Sequence, residues 1–360
     1  MWSYIMKLAV FPVTKDIAAL VRHSDFLQKY KSIHFISPPG LIKEGSDLSE
    51  VDFGIPTGIM ITNDLPAALA DSDSILLSYS EHVIDPIVYL NVTELAREKK
   101  KSILFTSELL EYLGEKYELQ ETDAIIDSQP EQFGDEDKLD EHLYRIPVPV
   151  VAVAGIGFNC DKFSIQMKLN NYFKNEGYKV LCFGSNALSP LAGINSFPKC
   201  AISSNLGIKQ RILAFNHHVY DTALKENPDL IIIGVPGGIM ECNPRLFEFW
   251  EEIPLIVFSA LEVDASVISL YSYPYSNNFF EEIMKTCRYK YGFLPTVYNI
   301  CNMDYDFSTE SERNIFSRIP RDAFLKKIFS KIEKNKFNVL STELVGNDEM
   351  MFRKILAELE

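Results

Sequence analysis

Short apolar runs alternate with amphipathic segments along the first third of the chain. Because a strand buried in a parallel sheet is almost continuously apolar and a surface helix is apolar on one face, this alternation predicts repeated β-α order. The predicted strands are Tyr4–Phe11, Ser32–Ile36, Ile59–Thr62, Ser74–Ser78 and Ser102–Phe105. The first predicted helix is capped by Thr14 and runs to about Tyr30. The other predicted helices are Asp64–Ala70, Pro86–Glu98 and Ser107–Leu119. Residues 1–127 are therefore expected to form a Rossmann-like α/β domain.

An acidic segment interrupts this pattern. Ser128–Glu141 carries six carboxylates and few apolar residues, a composition typical of a solvated connection. We therefore predict a linker over residues 128–146 and a second domain over residues 147–360.

The same alternation resumes after the linker. The predicted strands are Val148–Ala154, Tyr178–Phe183, Asp229–Ile233, Pro254–Ser259, Ser266–Tyr271 and Asn338–Ser341. The predicted helices are Lys162–Glu176, Gly207–Glu226, Phe324–Glu333 and Asp348–Leu359. The tyrosine-rich segment Ser272–Tyr298 gives no clear pattern. The predicted fold class is α/β, with two doubly wound, mainly parallel sheets and flanking helices, the second of them P-loop-like.

Charge and composition narrow the function classes. The chain has 360 residues, 47% of them apolar, and a formal net charge of −15. Such a surface repels nucleic acid and anionic membrane, so neither is expected as a partner. No stretch of about 18 apolar residues occurs, so no membrane span is expected. The acidic composition favours a cytoplasmic protein. The basic stretch Arg318–Lys336 is interpreted as a solvated helix face or as a contact for an acidic partner.

The cysteines suggest no metal site. All six are scattered, and none forms a C-x-x-C pair or a paired Cys/His spacing. The sequence therefore predicts neither a zinc site nor a disulfide framework.

The strongest chemical signal is a glycine turn between a strand and a helix that begins with lysine. Gly155 and Gly157 lie in the turn, Lys162 opens the helix, and Ser164 follows two residues later. In phosphate-binding loops, backbone amides at a helix N-terminus cradle the phosphate, the lysine neutralises its oxygens, and a hydroxyl binds magnesium. The spacing favours a phosphate site, with ATP or GTP and magnesium as candidate ligands.

The turn departs from the consensus G-x-x-x-x-G-K-[ST] at one position. Asp161 stands where glycine precedes the lysine, and at about 4 Å and an effective dielectric near 20 its carboxylate would repel phosphate by roughly 4 kcal/mol. Asn159 is a further candidate binding residue in this turn. Two alternatives stay open: the glycines serve only to pack helix against strand, or Cys160, beside Lys162, is an activated nucleophile.

A second glycine turn follows the strand at Asp229–Ile233. The turn contains Gly234, Gly237 and Gly238. Glu241 follows three residues after the last of these glycines, and the candidate segment ends at Asn243. If this strand neighbours the first, both turns lie at one sheet edge, where α/β proteins bind ligands. The Gly237 and Gly238 amides are then candidates for holding an oxyanion, and Glu241 for an acid, base or metal ligand. The open alternative is a tight crossover without a ligand.

Several runs resemble a known family, the clostridial peptide-maturation system proteins. The runs that carry the resemblance are Gly155–Gln166, Pro228–Met240, Arg22-His23, Ser37–Gly40 and Gly58–Asp64. The resemblance covers the chain down to about Asp306. It implies an accessory role beside gene clusters for small peptides, with a precursor peptide and a radical-SAM maturase as partners, but no particular reaction.

A looser resemblance is to P-loop proteins of the dethiobiotin-synthetase and MinD type. It implies that Lys162 contacts phosphate and that Ser164 reaches the metal. Asp161 departs from that pattern, and no acidic residue suited to magnesium closes the Asp229 strand.

The leading hypothesis is an accessory protein of peptide maturation that binds a nucleotide or another phosphorylated ligand, with ATP or GTP hydrolysis left open. One rival is a non-catalytic module that recognises the precursor peptide or the maturase. The other is a thiol enzyme that uses Cys160.

Overall fold

The computed structural model describes residues 6–80, 84–129, 140–242, 252–307, 315–332 and 336–360. The chain divides into two compact units. One comprises Met1–Ser128 with Asn186–Gly193, and the other comprises Gln129–Ser185 with Ile194–Glu360. Most of the predicted linker, residues 130–139, lies outside the described residues.

The first unit is built on a six-stranded parallel sheet. Its strands are β1 Lys7–Phe11, β2 Ser32–Ile36, β3 Ile61–Thr62, β4 Ser74–Leu77, β5 Ser102–Phe105 and β6 Asp123–Ile125. Its helices are α1 Lys15–His23, α2 Leu65–Ala70, α3 Pro86–Glu98 and α4 Ser107–Leu113. The strand order β3-β2-β1-β4-β5-β6 is that of a doubly wound Rossmann sheet.

The second unit contains nine strands among its described residues. They are β7 Val150–Gly155, β8 Val180–Gly184, β9 Asn195–Ser196, β10 Leu230–Gly234, β11 Ala265–Leu270, β12 Val297–Ile300, β13 Met303–Tyr305, β14 Phe316–Arg318 and β15 Val339–Leu340. Seven of them form a parallel sheet in the order β15-β12-β11-β7-β10-β8-β9, and β13 and β14 pair antiparallel apart from it. Every residue of the central strand β7 is buried.

Helices flank this second sheet. They are α5 Lys162–Asn175, α6 Ile208–Glu226, α7 Glu252–Ala260, α8 Asn277–Thr286, α9 Arg321–Ile332 and α10 Asn347–Leu359. The prediction of an α/β fold with two mainly parallel sheets and flanking helices is confirmed. No helix within the described ranges has the length and apolar character needed to cross a bilayer.

One predicted strand is wrong. The run Pro254–Ser259 lies inside the helix α7, where Ile256, Val257 and Phe258 are all buried. A helix buried on several faces is apolar without a 3.6-residue period, so a short run of this kind resembles a central strand.

Two predicted helices end early. The first stops at His23, because the Ser24 hydroxyl donates to the Leu20 carbonyl and the chain then forms a separate 3₁₀ turn at Phe26–Lys29. The helix predicted over Ser107–Leu119 stops at Leu113, and Gly114 has a φ of 52°.

Candidate functional site

The turn after β7 is packed too closely for side chains at its glycines. A Cβ added at Gly155 would lie 2.2 Å from the Cys160 sulfur, and one at Gly157 would lie 2.4 Å from the Tyr271 hydroxyl oxygen. Real Cβ atoms do not approach other atoms this closely. Glycine at these two positions therefore lets the turn fold tightly between the central strand and helix α5.

The second glycine turn lies against the first. Strand β10 pairs directly with β7, so both turns leave the same edge of the sheet. A Cβ added at Gly238 would lie 2.5 Å from the Ile156 carbonyl oxygen and 2.8 Å from the Gly157 Cα. A shared site at this edge requires the two strands to be neighbours, and they are.

Gly234 makes room for a side chain of helix α5. A Cβ there would lie 2.1 Å from the Gln166 Oε1 atom. Gln166 is fully buried, and its amide nitrogen donates to the Phe183 carbonyl at 2.9 Å. Gly234 therefore has a packing role: it leaves space for Gln166, which lies one helical turn after Lys162 in α5.

The Lys162 side chain joins the two turns. Its ammonium donates to the Gly157 and Gly237 carbonyl oxygens, each at 2.8 Å. It also lies 3.9 Å from the Cys160 sulfur. These contacts hold a partly buried positive charge at the carboxyl edge of β7 and β10, the edge at which open α/β sheets bind ligands.

The first amides of helix α5 have no acceptor among the described residues. Asp161 occupies the N-cap position, with a φ of 57°, but its side chain makes no capping hydrogen bond. Within the part of the chain that the structure describes, the amides of Lys162, Phe163 and Ser164 have no acceptor. Such amides carry the positive end of the helix dipole and favour an anion.

The Asp161 carboxylate pairs with a residue that the sequence argument did not single out. Arg318, on β14, donates from Nη2 to Asp161 Oδ1 at 3.2 Å. Both side chains are largely buried, 10% exposed for Arg318 and 16% for Asp161. The expected repulsion of phosphate by Asp161 is therefore offset by an adjacent guanidinium.

The backbone conformation of Asp161 explains how an aspartate stands where the consensus has glycine. Its φ of 57° is left-handed, a region that glycine enters freely and that aspartate tolerates better than most residues. The loop therefore keeps a glycine-like bend at this position.

Strand β11 and Tyr271, the residue that follows it, support the turn from the other side. The Tyr271 hydroxyl donates to the Phe158 carbonyl at 2.6 Å, and the Ser269 hydroxyl donates to the Cys160 carbonyl at 2.5 Å. Asn299, on β12, donates to the Ser269 oxygen at 3.1 Å. Burial raises the pKa of Tyr271 above its ordinary value, so the phenol remains a donor across the physiological range.

The remaining predicted site residues differ in how far they are buried. Cys160 is 1% exposed, and its thiol donates to the Gly157 carbonyl at 3.2 Å. Asn159 and Ser164 are half-buried, and Glu241 is exposed. Asn243 lies outside the described residues.

No metal cluster is present among the described side chains. Within those ranges, no group of three or more His, Cys, Asp or Glu side chains is arranged to hold a metal ion.

The fold is shared with solved structures. A DUF1611 family protein from Anabaena variabilis matches 98% of this chain and 99% of its own, with a TM-score of 0.61 and 14% sequence identity. At that identity the likeness shows a common fold alone. The hydrogenase maturation factor HypB from Archaeoglobus fulgidus matches 59% of this chain and 91% of its own at 12% identity, but its TM-score of 0.31 is too low to carry an argument.

Sequence comparison adds no family. No protein-family model matches this chain, and no curated protein matches it. The resemblance to clostridial peptide-maturation proteins therefore remains a hypothesis. Fold and loop together define an α/β protein whose second unit is P-loop-like.

Proposed function

We propose that the second unit binds a phosphorylated ligand at Lys162 and the N-terminus of helix α5, with ATP or GTP as the leading candidates. The observation that carries this proposal is the position of the Lys162 ammonium. It is held by the Gly157 and Gly237 carbonyls, beside amides that have no acceptor within the described ranges. A phosphate oxygen suits both kinds of donor.

The Lys162 ammonium has a third N–H group that can bind a ligand. Lysine carries three N–H groups, and the two carbonyls accept strong hydrogen bonds from two of them. The third contact is with the Cys160 sulfur, a weak acceptor, at 3.9 Å. A phosphate oxygen is a stronger acceptor than a thiol and would replace that contact without breaking the other two.

Magnesium would accompany a triphosphate. The Ser164 hydroxyl is the candidate protein ligand, and Glu241 is a candidate ligand or base. Magnesium at nucleotide sites keeps several waters and uses few carboxylates. A site without a cluster of acidic side chains among the described residues therefore still fits a metal held mainly by phosphate and water.

Calorimetric titration with ATP, GTP, ADP and GDP in the presence of magnesium tests the proposal. We expect wild type to bind at least one of them. Lys162→Ala should weaken that binding by about 10- to 150-fold, because a hydrogen bond to a charged group contributes about 1.5–3 kcal/mol. Lys174→Ala is the matched control, since Lys174 lies exposed on the same helix. Absence of heat for every nucleotide at high protein concentration, or equal affinity of Lys162→Ala and wild type, contradicts the proposal.

The biological setting that we propose is peptide maturation, on the strength of the sequence resemblance described above. The partners would then be a small precursor peptide and a radical-SAM maturase. Pull-down of each partner with wild type and Lys162→Ala separates this role from that of a simple binding module. Partner capture that survives Lys162→Ala, in a protein that binds no nucleotide, supports the module.

The thiol alternative rests on one contact. The Lys162 ammonium lies 3.9 Å from the Cys160 sulfur, and Cys160 is 1% exposed. A thiol enzyme requires Cys160 to react with iodoacetamide faster than the other five cysteines. Slow and uniform labelling of all six rejects it.

A further inference from the structure

Asp161 differs from Asp64 and Asp85, the two other aspartates that immediately precede α-helices in the described part of the chain. Asp64 accepts from the Ala67 amide at 3.0 Å, and Asp85 accepts from the Ile87 amide at 2.9 Å. Each therefore fills a donor at the start of its own helix. Asp161 occupies the same position before α5 and makes no such bond.

The ion pair with Arg318 explains the exception. Arg318 Nη2 lies 3.2 Å from Asp161 Oδ1, and the side chain of Asp161 is directed to the guanidinium instead of to its own helix. Arg318 is itself held in place, because its Nη1 donates to the Asn302 Oδ1 atom at 2.9 Å and Asn302 is fully buried. The position of the guanidinium is thus fixed by strands β13 and β14, where Met303 is paired with Arg318.

Without this partner, the Asp161 carboxylate would oppose phosphate in two ways. Its charge would repel the ligand, and its oxygens would compete for the first-turn amides of α5. Both effects act at the same few atoms that the proposed function assigns to phosphate.

We propose that Arg318 is a positioning residue for the phosphate site. It cancels the charge of Asp161 and holds that carboxylate away from the Phe163 and Ser164 amides, which leaves these donors for the ligand. This inference rests on the proposed function, and it accounts for the aspartate in the position that the consensus gives to glycine.

A double-mutant cycle with magnesium-ATP and magnesium-GTP tests the inference. Arg318→Gln should weaken binding by about tenfold or more, within the range that coupled neighbours show. Asp161→Asn alone should bind at least as tightly as wild type. Asp161→Asn in the Arg318→Gln background should restore most of the affinity, because the negative charge of the carboxylate is then gone. Arg318→Lys keeps the charge with fewer hydrogen bonds and should lie between Arg318→Gln and wild type.

The cycle separates this inference from the proposed function. If wild type binds a nucleotide and Arg318→Gln binds it equally well, or if Asp161→Asn fails to rescue Arg318→Gln, the inference is wrong and the phosphate site stands. If wild type binds no nucleotide, the proposed function fails. A crystal structure of Arg318→Gln then decides whether Arg318 positions Asp161. The carboxylate should turn onto the Phe163 or Ser164 amide, and an unchanged Asp161 overturns the inference.

Discussion

The two units make the turn from their central strand to the next helix in different ways. In the first unit, β1 is followed by three residues, and Thr14 caps α1 by accepting from the Ile17 amide at 3.3 Å. In the second unit, β7 is followed by six residues, and Asp161 leaves the start of α5 uncapped. The two helices occupy corresponding places after a central strand. What distinguishes the second is that its first amides are not used by its own side chains.

Lysine at the helix start does not by itself mark a site. Both helices begin with lysine, Lys15 in α1 and Lys162 in α5. Only the second turn combines that lysine with two glycine turns in contact and with amides that lack an acceptor within the described residues. The comparison therefore locates the candidate site in the loop chemistry and not in the doubly wound fold.

The largest expected effect comes from separating the two glycine turns. Gly238→Ala would place a methyl group 2.5 Å from the Ile156 carbonyl oxygen and 2.8 Å from the Gly157 Cα. Backbone cannot move away as a flexible side chain can, so we expect a loss of about 3 kcal/mol in the free energy of unfolding, measured in urea. Gly207→Ala is the control in the same unit, because its nearest atom, the Gln210 Oε1, lies 3.4 Å away and its φ is −67°. Equal losses for the two variants would show that contact between the turns is unimportant.

The next effect concerns Asp47 in the first unit, whose carboxylate accepts hydrogen bonds from nearby backbone amides, whereas that of Asp161 caps no helix amide. Asp47 accepts from the amides of Ser49, Thr57 and Gly58 at 2.8, 3.0 and 2.6 Å. Burial raises the pKa of Asp47, but these hydrogen bonds lower it by more, and the pKa lies well below its ordinary value. The charged form therefore stabilises the fold above the unfolded pKa of about 3.9, and this contribution is lost as the pH falls from there toward the folded pKa.

Asp47→Asn tests this stabilisation. We expect it to cost about 2 kcal/mol at pH 7, since several hydrogen bonds to a charged group become neutral ones. Its unfolding free energy should fall less steeply than that of wild type below about pH 4. Asp25→Asn, whose side chain is 60% exposed in a surface ion pair, should follow the wild-type acid curve. A variant at Asp47 that also follows the wild-type curve contradicts the assignment.

The smallest effect concerns the cap of the first unit. Thr14→Ala removes the acceptor of the Ile17 amide and should lower the free energy of unfolding by about 1 kcal/mol. Thr222→Ala is the control, because Thr222 lies inside α6 and its hydroxyl donates to the His218 carbonyl. We expect a change of a few tenths of a kcal/mol or less there. A Thr14→Ala variant as stable as wild type would show that the Thr14 cap does not stabilise α1.

Local sequence predicts the parts of the site that are local. The apolar run of β7, the glycine turn and the amphipathic α5 are adjacent along the chain, so periodicity and turn chemistry find them. The pairing of β7 with β10 could not be predicted from the sequence, because the order of strands in a sheet does not depend on any one segment of the chain.

The parts that depend on distant residues were missed. Arg318 is separated from Asp161 by 157 positions, and the sequence of its basic stretch predicts a solvated helix face or a contact for an acidic partner. The structure instead places Arg318 on β14, with its side chain largely buried. No periodicity or spacing rule connects an arginine on a two-stranded antiparallel sheet with an aspartate in a glycine turn. The predicted strand at Pro254–Ser259 failed for a related reason, since tertiary burial made α7 apolar on several faces.

The most direct test of the central claim is a crystal structure with magnesium and the nucleotide that binds most tightly in solution. The account predicts phosphate oxygens within about 3.2 Å of the Lys162 ammonium and of the Phe163 and Ser164 amides. It also predicts that Asp161 remains paired with Arg318. A nucleotide bound elsewhere on the protein, with Lys162 still held by its two carbonyls and no anion at the start of α5, contradicts it.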